Sequence, residues 1–277
     1  MRISEQVLED FGGYLAGEEK SGATVEKYVR EARRFMGWLA GRETGGETAG
    51  LYKEKLLRER TAAGVNGAVA ALNGLFGFLG MPECRLKAVR VQRKIFRDEA
   101  RELTEKEYRR LLAAAKGRKN ERLLLVMEAI CATGIRVSEL RSFTVEAVRE
   151  GRAEVVNKGK CRVVFLPGRL RKELLRYAKE RGIGSGPVFV TRGGRALDRS
   201  NIWSDMKALC REAGVEESKV FPHNLRHLFA RTFYGLEKDI VRLADILGHS
   251  SIDTTRIYTM ETGEAHRRQL ERMRLMI

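Results

Sequence analysis

Apolar residues recur at helical spacing along most of this chain, and alternate as in strands in one short stretch. Val7, Leu8, Phe11 and Leu15 mark a first helix between Ile3 and Ala16. Val25, Tyr28, Val29, Ala32, Phe35, Met36 and Leu39 form an i, i+3, i+4, i+7 stripe, with Thr24 placed to cap the helix that carries it. The glycine- and threonine-rich stretch Gly41 to Gly50 reads as a loop. It leads to a third helix from about Thr48 to Ala62 and a glycine-pocked fourth from Val65 to Leu79, giving a small four-helix bundle over residues 1–80. Met81 to Arg101 loses the period and carries Arg85, Lys87, Arg90, Arg93, Lys94, Arg97 and Arg101. It reads as an extended basic linker.

A second domain, 102–277, opens with Thr104 and Glu107 spaced as a capping box. An apolar helix from about Asn120 to Ala132 stops at Gly134, and another begins at Ser138. Ala153–Val156 and Val163–Leu166 are valine-rich runs flanking Asn157-Lys-Gly-Lys-Cys-Arg162, the signature of a hairpin. Leu170–Ala178 and Ser200–Ala213 read as helices, and Val188–Val190 as one more strand. Pro222 suits a first helical position. Asp239–Leu247 is a broad-faced helix stopped by Gly248, and Gly263–Ile277 a basic helix with Leu270, Met273 and Ile277 on one side. The chain is therefore expected to be mainly α, with a small β hairpin in a mixed second domain.

Charge narrows the partner. The 277 residues carry a formal +16, which argues for a polyanion. Cysteines 84, 131, 161 and 210 lack metal-site or redox spacing and fit a reducing cytosol. No apolar run has the length of a membrane span and no signal peptide is evident, so a cytoplasmic location without a membrane partner is expected.

Candidate chemistry concentrates between Phe221 and Tyr258, which hold three of the four histidines. His223 and Arg226 fall on one face at a helix mouth, a ready anion site. Arg136 follows a turn, and Lys158 sits in the hairpin. Two arginines suit bidentate contact with phosphate oxygens, and a tyrosine can exchange one phosphodiester for another. The departing sugar oxygen needs a general acid, for which a hairpin lysine is a candidate. No carboxylate cluster indicates a metal and no glycine loop indicates nucleotide hydrolysis, so neither cofactor nor ATP is expected.

The order Arg136, Lys158, His223-Asn-Leu-Arg226-His227, Leu247-Gly-His249-Ser and Tyr258 resembles the tyrosine recombinase and phage integrase family, as does Thr133-Gly-Ile-Arg-Val-Ser-Glu-Leu140. Thr24-x-x-x-Tyr28 through Trp38-Leu39, and Ala70-Ala-Leu72 through Phe78-Leu79, resemble that family's SAM-like core-binding bundle more loosely. The resemblance implies a minimal, Xer-like two-domain recombinase. Arg136 and Arg226 would clamp the scissile phosphate, Lys158 would protonate the leaving 5′ oxygen, and His223 would act as acid/base. His249 would hydrogen-bond the phosphate, and Tyr258 would form a 3′-phosphotyrosyl link. It also implies a homotetramer on two double-stranded DNA sites, monomeric or weakly associated without DNA, with a Holliday junction intermediate. The short turn leaves Lys160 as an alternative acid. The fourth helix lacks Lys and Arg, so DNA contacts are expected from Lys27, Arg30, Arg33, Arg34, Arg90, Arg93, Lys94 and Lys160. Mobile-element integration and chromosome-dimer resolution both fit. A type IB topoisomerase and a catalytically idle DNA-binding regulator are the alternatives.

Overall fold

The computed structural model describes residues 1–91, 99–157, 159–191, 193–260 and 263–273. It divides into two compact units, Met1–Arg93 and Lys94–Ile277.

The first unit packs α1 (Glu5–Gly17), α2 (Gly22–Leu39), α3 (Gly46–Glu59) and α4 (Ala62–Phe78) around one apolar core. The stripes expected on α1 and α2 are the buried faces, and Phe35 sits centrally, 5.0 Å from the Tyr52 ring and 5.8 Å from that of Phe76. Ser21 rather than Thr24 caps α2, its hydroxyl accepting from the Thr24 N–H at 3.4 Å. On α4 only Ala68 and Ala71 of the small residues are buried, and a Cβ at the half-buried Gly74 would meet the Tyr28 ring at 3.5 Å, so the helix is glycine-pocked partly where α2 passes close.

The expected linker begins later than its composition implies. Pro82–Cys84 forms a 3-10 turn, Cys84 is buried, and Leu86 and Val89 pack against the bundle core. Asn73 accepts from the Leu86 N–H at 2.8 Å and donates to its carbonyl at 2.9 Å. Seven residues back, on the same face of α4, Asn66 does the same to Val89 at 2.7 and 3.0 Å. These two amides act as a short strand for the chain to pair with, so an extended backbone that lacks period is held as firmly as an element. Residues 92–98 lie outside the described residues, and with them Arg93 and Lys94.

The second unit begins with a 3-10 turn at Glu99–Arg101 and then α5 (Glu105–Gly117), where Thr104 and Glu107 close the capping box. Next come α6 (Glu121–Thr133), a 3-10 turn (Val137–Ser142), α7 (Val145–Glu150), β1 (Arg152–Asn157), β2 (Lys160–Phe165) and α8 (Gly168–Glu180). Then follow α9 (Arg199–Ala208), α10 (Cys210–Ala213), α11 (Pro222–Glu237), α12 (Ile240–Leu247), α13 (Ile252–Thr255), a 3-10 turn at Arg256–Tyr258, and α14 (Gly263–Met273). α6 is apolar nearly all round because it runs through the core, against α5, α8 and α11. β1 and β2 pair antiparallel, with Arg152 opposite Phe165 and Val155 opposite Arg162. The chain is thus mainly helical with one small antiparallel hairpin, as its periodicity implies.

Three local expectations fail. Val188–Val190 is not a ladder strand; isolated bridges join Thr144 to Pro187 and Val190 to Ala196, and Val188 and Phe189 are apolar because they are buried. The segment after Arg136 is a 3-10 turn rather than an α-helix, with Glu139 turned back to the Arg136 N–H at 2.9 Å. The expected single helix Ser200–Ala213 is divided at Leu209 into α9 and α10.

Candidate active site

Five of the six expected catalytic side chains converge in the second unit. α6 delivers Arg136 through a left-handed glycine: Gly134 has φ +64°, and a Cβ there would lie 2.4 Å from the Phe229 ring and 3.0 Å from Leu247. Only glycine lets α6 end flush against α11 and α12. α11, opened by Pro222, supplies His223, Arg226 and His227, while α12 ends at Gly248 and presents His249. The last turn brings in Tyr258.

Arg226 does not stand at the helix mouth beside His223, as the i, i+3 spacing implies. It is 1% exposed, the largest fully buried side chain among the described residues, whereas His223 is exposed. Its Nη1 donates to the Gly134 carbonyl, its Nη2 to the Leu247 carbonyl at 2.6 Å, and Nη2 also lies 3.2 Å from His249 Nε2. The guanidinium therefore takes up the end carbonyls of α6 and α12 while facing the site. Burial, and after it the nearby Arg136 cation, pulls its pKa down to about 10, so it remains charged at neutral pH.

Arg136 is held by a partner that sequence reasoning passed over. Glu139, 4% exposed, accepts from Arg136 Nη1 at 2.8 Å, and its two oxygens also take Arg162 Nη1 at 3.0 Å and Nη2 at 2.8 Å. Arg136 Nη2 points to the Gly248 carbonyl at 3.4 Å. The available signal was an acid one turn after Arg136; nothing local announces Arg162, which is 23 residues further on.

Tyr258 is 5% exposed and packs with Ala230, Leu243 and Leu247. Its ring meets His227 edge-on at 5.1 Å and lies parallel to His249 at 6.3 Å. Burial raises its pKa, while Arg226 and Arg136 oppose the rise. The histidines shift the other way. Burial first, then Arg226 and Arg136, brings His249 down to about 4, and burial and then His223 bring His227 to about 4. His223, although its outer edge is exposed, is lowered first by the part of its ring that is withdrawn from water, and then by Arg226, Arg136 and Arg199. The His227 and His249 rings are neutral at pH 7. This leaves a pocket whose fixed charge is cationic, next to a shielded hydroxyl nucleophile: an arrangement for attack on a phosphodiester.

Lys158 lies outside the described residues; Lys160 pairs with Asn157 at the head of β2. Lys27, Arg30, Arg33 and Arg34 are exposed on α2 of the first unit, and Arg90 is exposed beyond α4. Three have acidic neighbours, Arg30 with Glu26 at 3.7 Å, Arg33 with Glu5 at 2.9 Å and Arg34 with Glu31 at 2.7 Å. Cysteines 84, 131, 161 and 210 are all unpaired. Among the described residues no helix is long and apolar enough to cross a membrane.

Residues 101–264 match the sequence profile of the phage integrase family. Tyrosine recombinase XerA of Thermococcus kodakarensis is 33% identical over 288 residues, spanning 100% of this chain and 98% of that protein. XerA of Pyrococcus furiosus is 30% identical over 99% of this chain and 96% of its own. A crystal structure of XerA recombinase superposes with a TM-score of 0.54 at 26% identity, covering 99% of this chain and 100% of the other. A lambda integrase dimer bound to a COC′ core site shares the fold at a TM-score of 0.74 and 18% identity, over 95% and 97% of the two chains. The likeness runs the length of the chain, and the chain belongs to the phage integrase family of tyrosine recombinases.

Proposed function

We propose that this protein is a site-specific DNA recombinase that cuts and rejoins double-stranded DNA through a 3′-phosphotyrosyl intermediate. The observation that carries this reading is the placement of Tyr258 against His227 and His249, beside the buried Arg226 and within the field of Arg136. The Tyr258 hydroxyl attacks the scissile phosphorus, a P–O bond to tyrosine forms, and the bond to the 5′ oxygen breaks. Arg136 and Arg226 hold the non-bridging oxygens, whose charge grows as phosphorus becomes five-coordinate. His223, whose ring lies 4.5 Å from that of His227, takes the phenolic proton as the pocket closes on DNA, and a hairpin lysine, Lys158 or Lys160, gives one to the leaving oxygen. The 5′ hydroxyl of a second strand then attacks the phosphotyrosine and releases the enzyme. The bond count is unchanged throughout, so the exchange needs no high-energy co-substrate.

Full recombination requires four protomers on two DNA sites, the arrangement implied by a lambda integrase tetramer bound to a Holliday junction. α14 is suited to join them, since its Leu270 and Met273 are 54% and 55% exposed. The test is a covalent-adduct assay on a nicked duplex carrying the target site. The native chain should form a protein–DNA adduct that Tyr258→Phe abolishes while binding persists. Full-strength adduct from the Phe variant would reject the reading.

A further inference from the structure

Arg162 belongs to β2, opposite the buried Val155, and ties the hairpin inward two residues from the head of β2. On either side of it Cys161 and Val163 are exposed, and Val156 across the hairpin is 65% exposed. An isolated two-stranded ribbon is marginal in water, so the end that carries Lys158 and Lys160 depends on what fastens it.

The Arg162 side chain is 12% exposed and uses three of its N–H groups on two other segments. Nη1 and Nη2 fork onto Glu139 of the 137–142 turn at 3.0 and 2.8 Å, and Nε donates to the Ile246 carbonyl at the end of α12 at 3.2 Å. Glu139 is the same carboxylate that holds Arg136, and Ile246 lies three residues before His249. Gly248 completes the seat. A Cβ there would lie 2.7 Å from Arg162 Cδ, so the residue before His249 is bare where the arginine passes.

From this geometry we propose that Arg162 is a positioning residue of the strand-transfer reaction. It fixes the hairpin that carries the general acid to the frame that holds Arg136 and His249. The proposal rests on the reading of a hairpin lysine as that acid. Arg136 does not depend on Arg162 to the same degree, because Arg136 and Glu139 are neighbours on one turn with two hydrogen bonds of their own. Loss of Arg162 therefore releases the hairpin while leaving the phosphate arginine held. Lysine cannot replace it, having one point charge where a planar fork and a third N–H are needed.

The experiment compares two substrates in single-turnover cleavage by the full-length protein. One is an ordinary duplex; the other carries a 5′-bridging phosphorothiolate, whose sulfur leaves without a proton. Arg162→Met and Arg162→Lys should each slow cleavage of ordinary DNA by about 10- to 100-fold, the scale expected when a catalytic group is displaced by about 1 Å. The phosphorothiolate should restore most of that loss, with half-site binding nearly unchanged. Arg136→Ala should not be restored. If the Met variant does not fold, the Lys variant, which keeps the charge beside Glu139, carries the test alone. Equal loss on both substrates, or no loss, overturns the proposal. Lys158→Ala and Lys160→Ala run alongside. Rescue of one of them without rescue of Arg162 rejects the positioning role alone. Rescue of neither rejects the hairpin acid, and the role of Arg162 with it.

Discussion

Nη2 of Arg226 lies 3.2 Å from Nε2 of His249, and the other nitrogen of that ring lies 2.9 Å from the Thr255 hydroxyl. A guanidinium only donates, so Nε2 accepts and Nδ1 carries the proton that goes to Thr255. The ring is thereby held as one neutral tautomer, in keeping with a pKa lowered to about 4 by burial and then by the two arginines. For His249 to donate from Nε2 to a bound phosphate, Arg226 has to turn from the ring toward the phosphate, and Nε2 has to gain a proton. A phosphate dianion-like transition state favours both changes.

The first prediction concerns Thr255, which is fully buried. Thr255→Val keeps the shape and removes the acceptor, leaving Nδ1–H without its partner at a cost of about 1–3 kcal/mol. The ring should then lose its preference for the Nδ1–H tautomer. Nitrogen NMR of labelled histidine should show the two ring nitrogens moving toward each other's shifts, and cleavage should slow about two- to tenfold. An unaltered Nδ1–H signature in the variant would remove Thr255 from the network.

The histidines also set a pH dependence. His227 and His249 have folded pKa values near 4, below the ordinary value of about 6.5, and His223 is lowered as well. Between those limits the unfolded chain binds protons that the folded chain does not, so stability rises with pH across the window. It is fully present above about 6.5 and is lost as the pH falls toward 4. The thermal midpoint should drop from pH 7 to pH 5. His227→Phe, which removes one such group while retaining a ring against Tyr258, should make that drop smaller. An equally steep drop in the variant would assign the acid sensitivity to carboxylates instead.

How much of this was legible in the chain differs between the two units. The helices were readable because amphipathic stripes such as Val25 to Leu39 face one core, and the hairpin because its valine runs flank a lysine–glycine turn. The site order from Arg136 to Tyr258 was readable because Arg136 follows a turn, His223 and Arg226 open a helix, Lys158 sits in a hairpin and His249 follows a helix stop, with Tyr258 a few residues on. What escaped depends on pairing across distance. Arg226 reads as a surface cation, and only the carbonyls of Gly134 and Leu247 explain its burial. Glu139 and Arg162 form one unit, yet neither shows a local sign of the other. The 81–89 segment looked like linker because its hold comes from Asn66 and Asn73, polar residues with no apolar period to betray them.

The two stop glycines should be intolerant for different reasons. Gly134→Ala places a methyl within the Phe229 ring and forces a left-handed backbone at φ +64°, costing about 1–2 kcal/mol for the backbone and about 1–3 for overpacking. Gly248→Ala has the same left-handed backbone cost, its φ also being +64°, but its methyl meets only the flexible Arg162 side chain at 2.7 Å, so the fold should yield less than in Gly134→Ala and the site more. Urea unfolding should show the greater loss in Gly134→Ala, and the adduct assay a clear loss in Gly248→Ala at temperatures where it is folded. The reverse ranking would contradict the packing described.

Within the first unit, Asn73→Ala should free the Leu86 backbone and Asn66→Ala that of Val89. Each change leaves a backbone N–H and C=O to find other partners, so a loss of about 1–3 kcal/mol is expected for each substitution. Hydrogen exchange should rise at Leu86 in one variant and at Val89 in the other, and protection across α1 and α2 should fall little. Uniform loss of protection through the bundle would show that these asparagines support the whole fold and not merely its last segment.

The final prediction separates a DNA-contacting arginine from a structural one on α2. Arg33 is exposed and its guanidinium is bonded to Glu5 at 2.9 Å; the same pair lowers the Glu5 pKa, through the Arg33 hydrogen bond first, and raises that of Arg33. A phosphate that binds Arg33 must compete with that carboxylate. If Arg33 meets DNA, Glu5→Gln should tighten binding, since it removes both the competitor and a negative charge. Arg33→Ala should weaken binding to all sequences alike and reduce the slope of log affinity against log salt by about 0.9, one displaced counterion. An exposed ion pair is screened by solvent and contributes little to stability, so neither change should disturb folding enough to confuse the result. Were both slopes to match the native protein while the thermal midpoint fell, Arg33 would belong to the α1–α2 interface and α2 would have to grip DNA through Lys27 and Arg30.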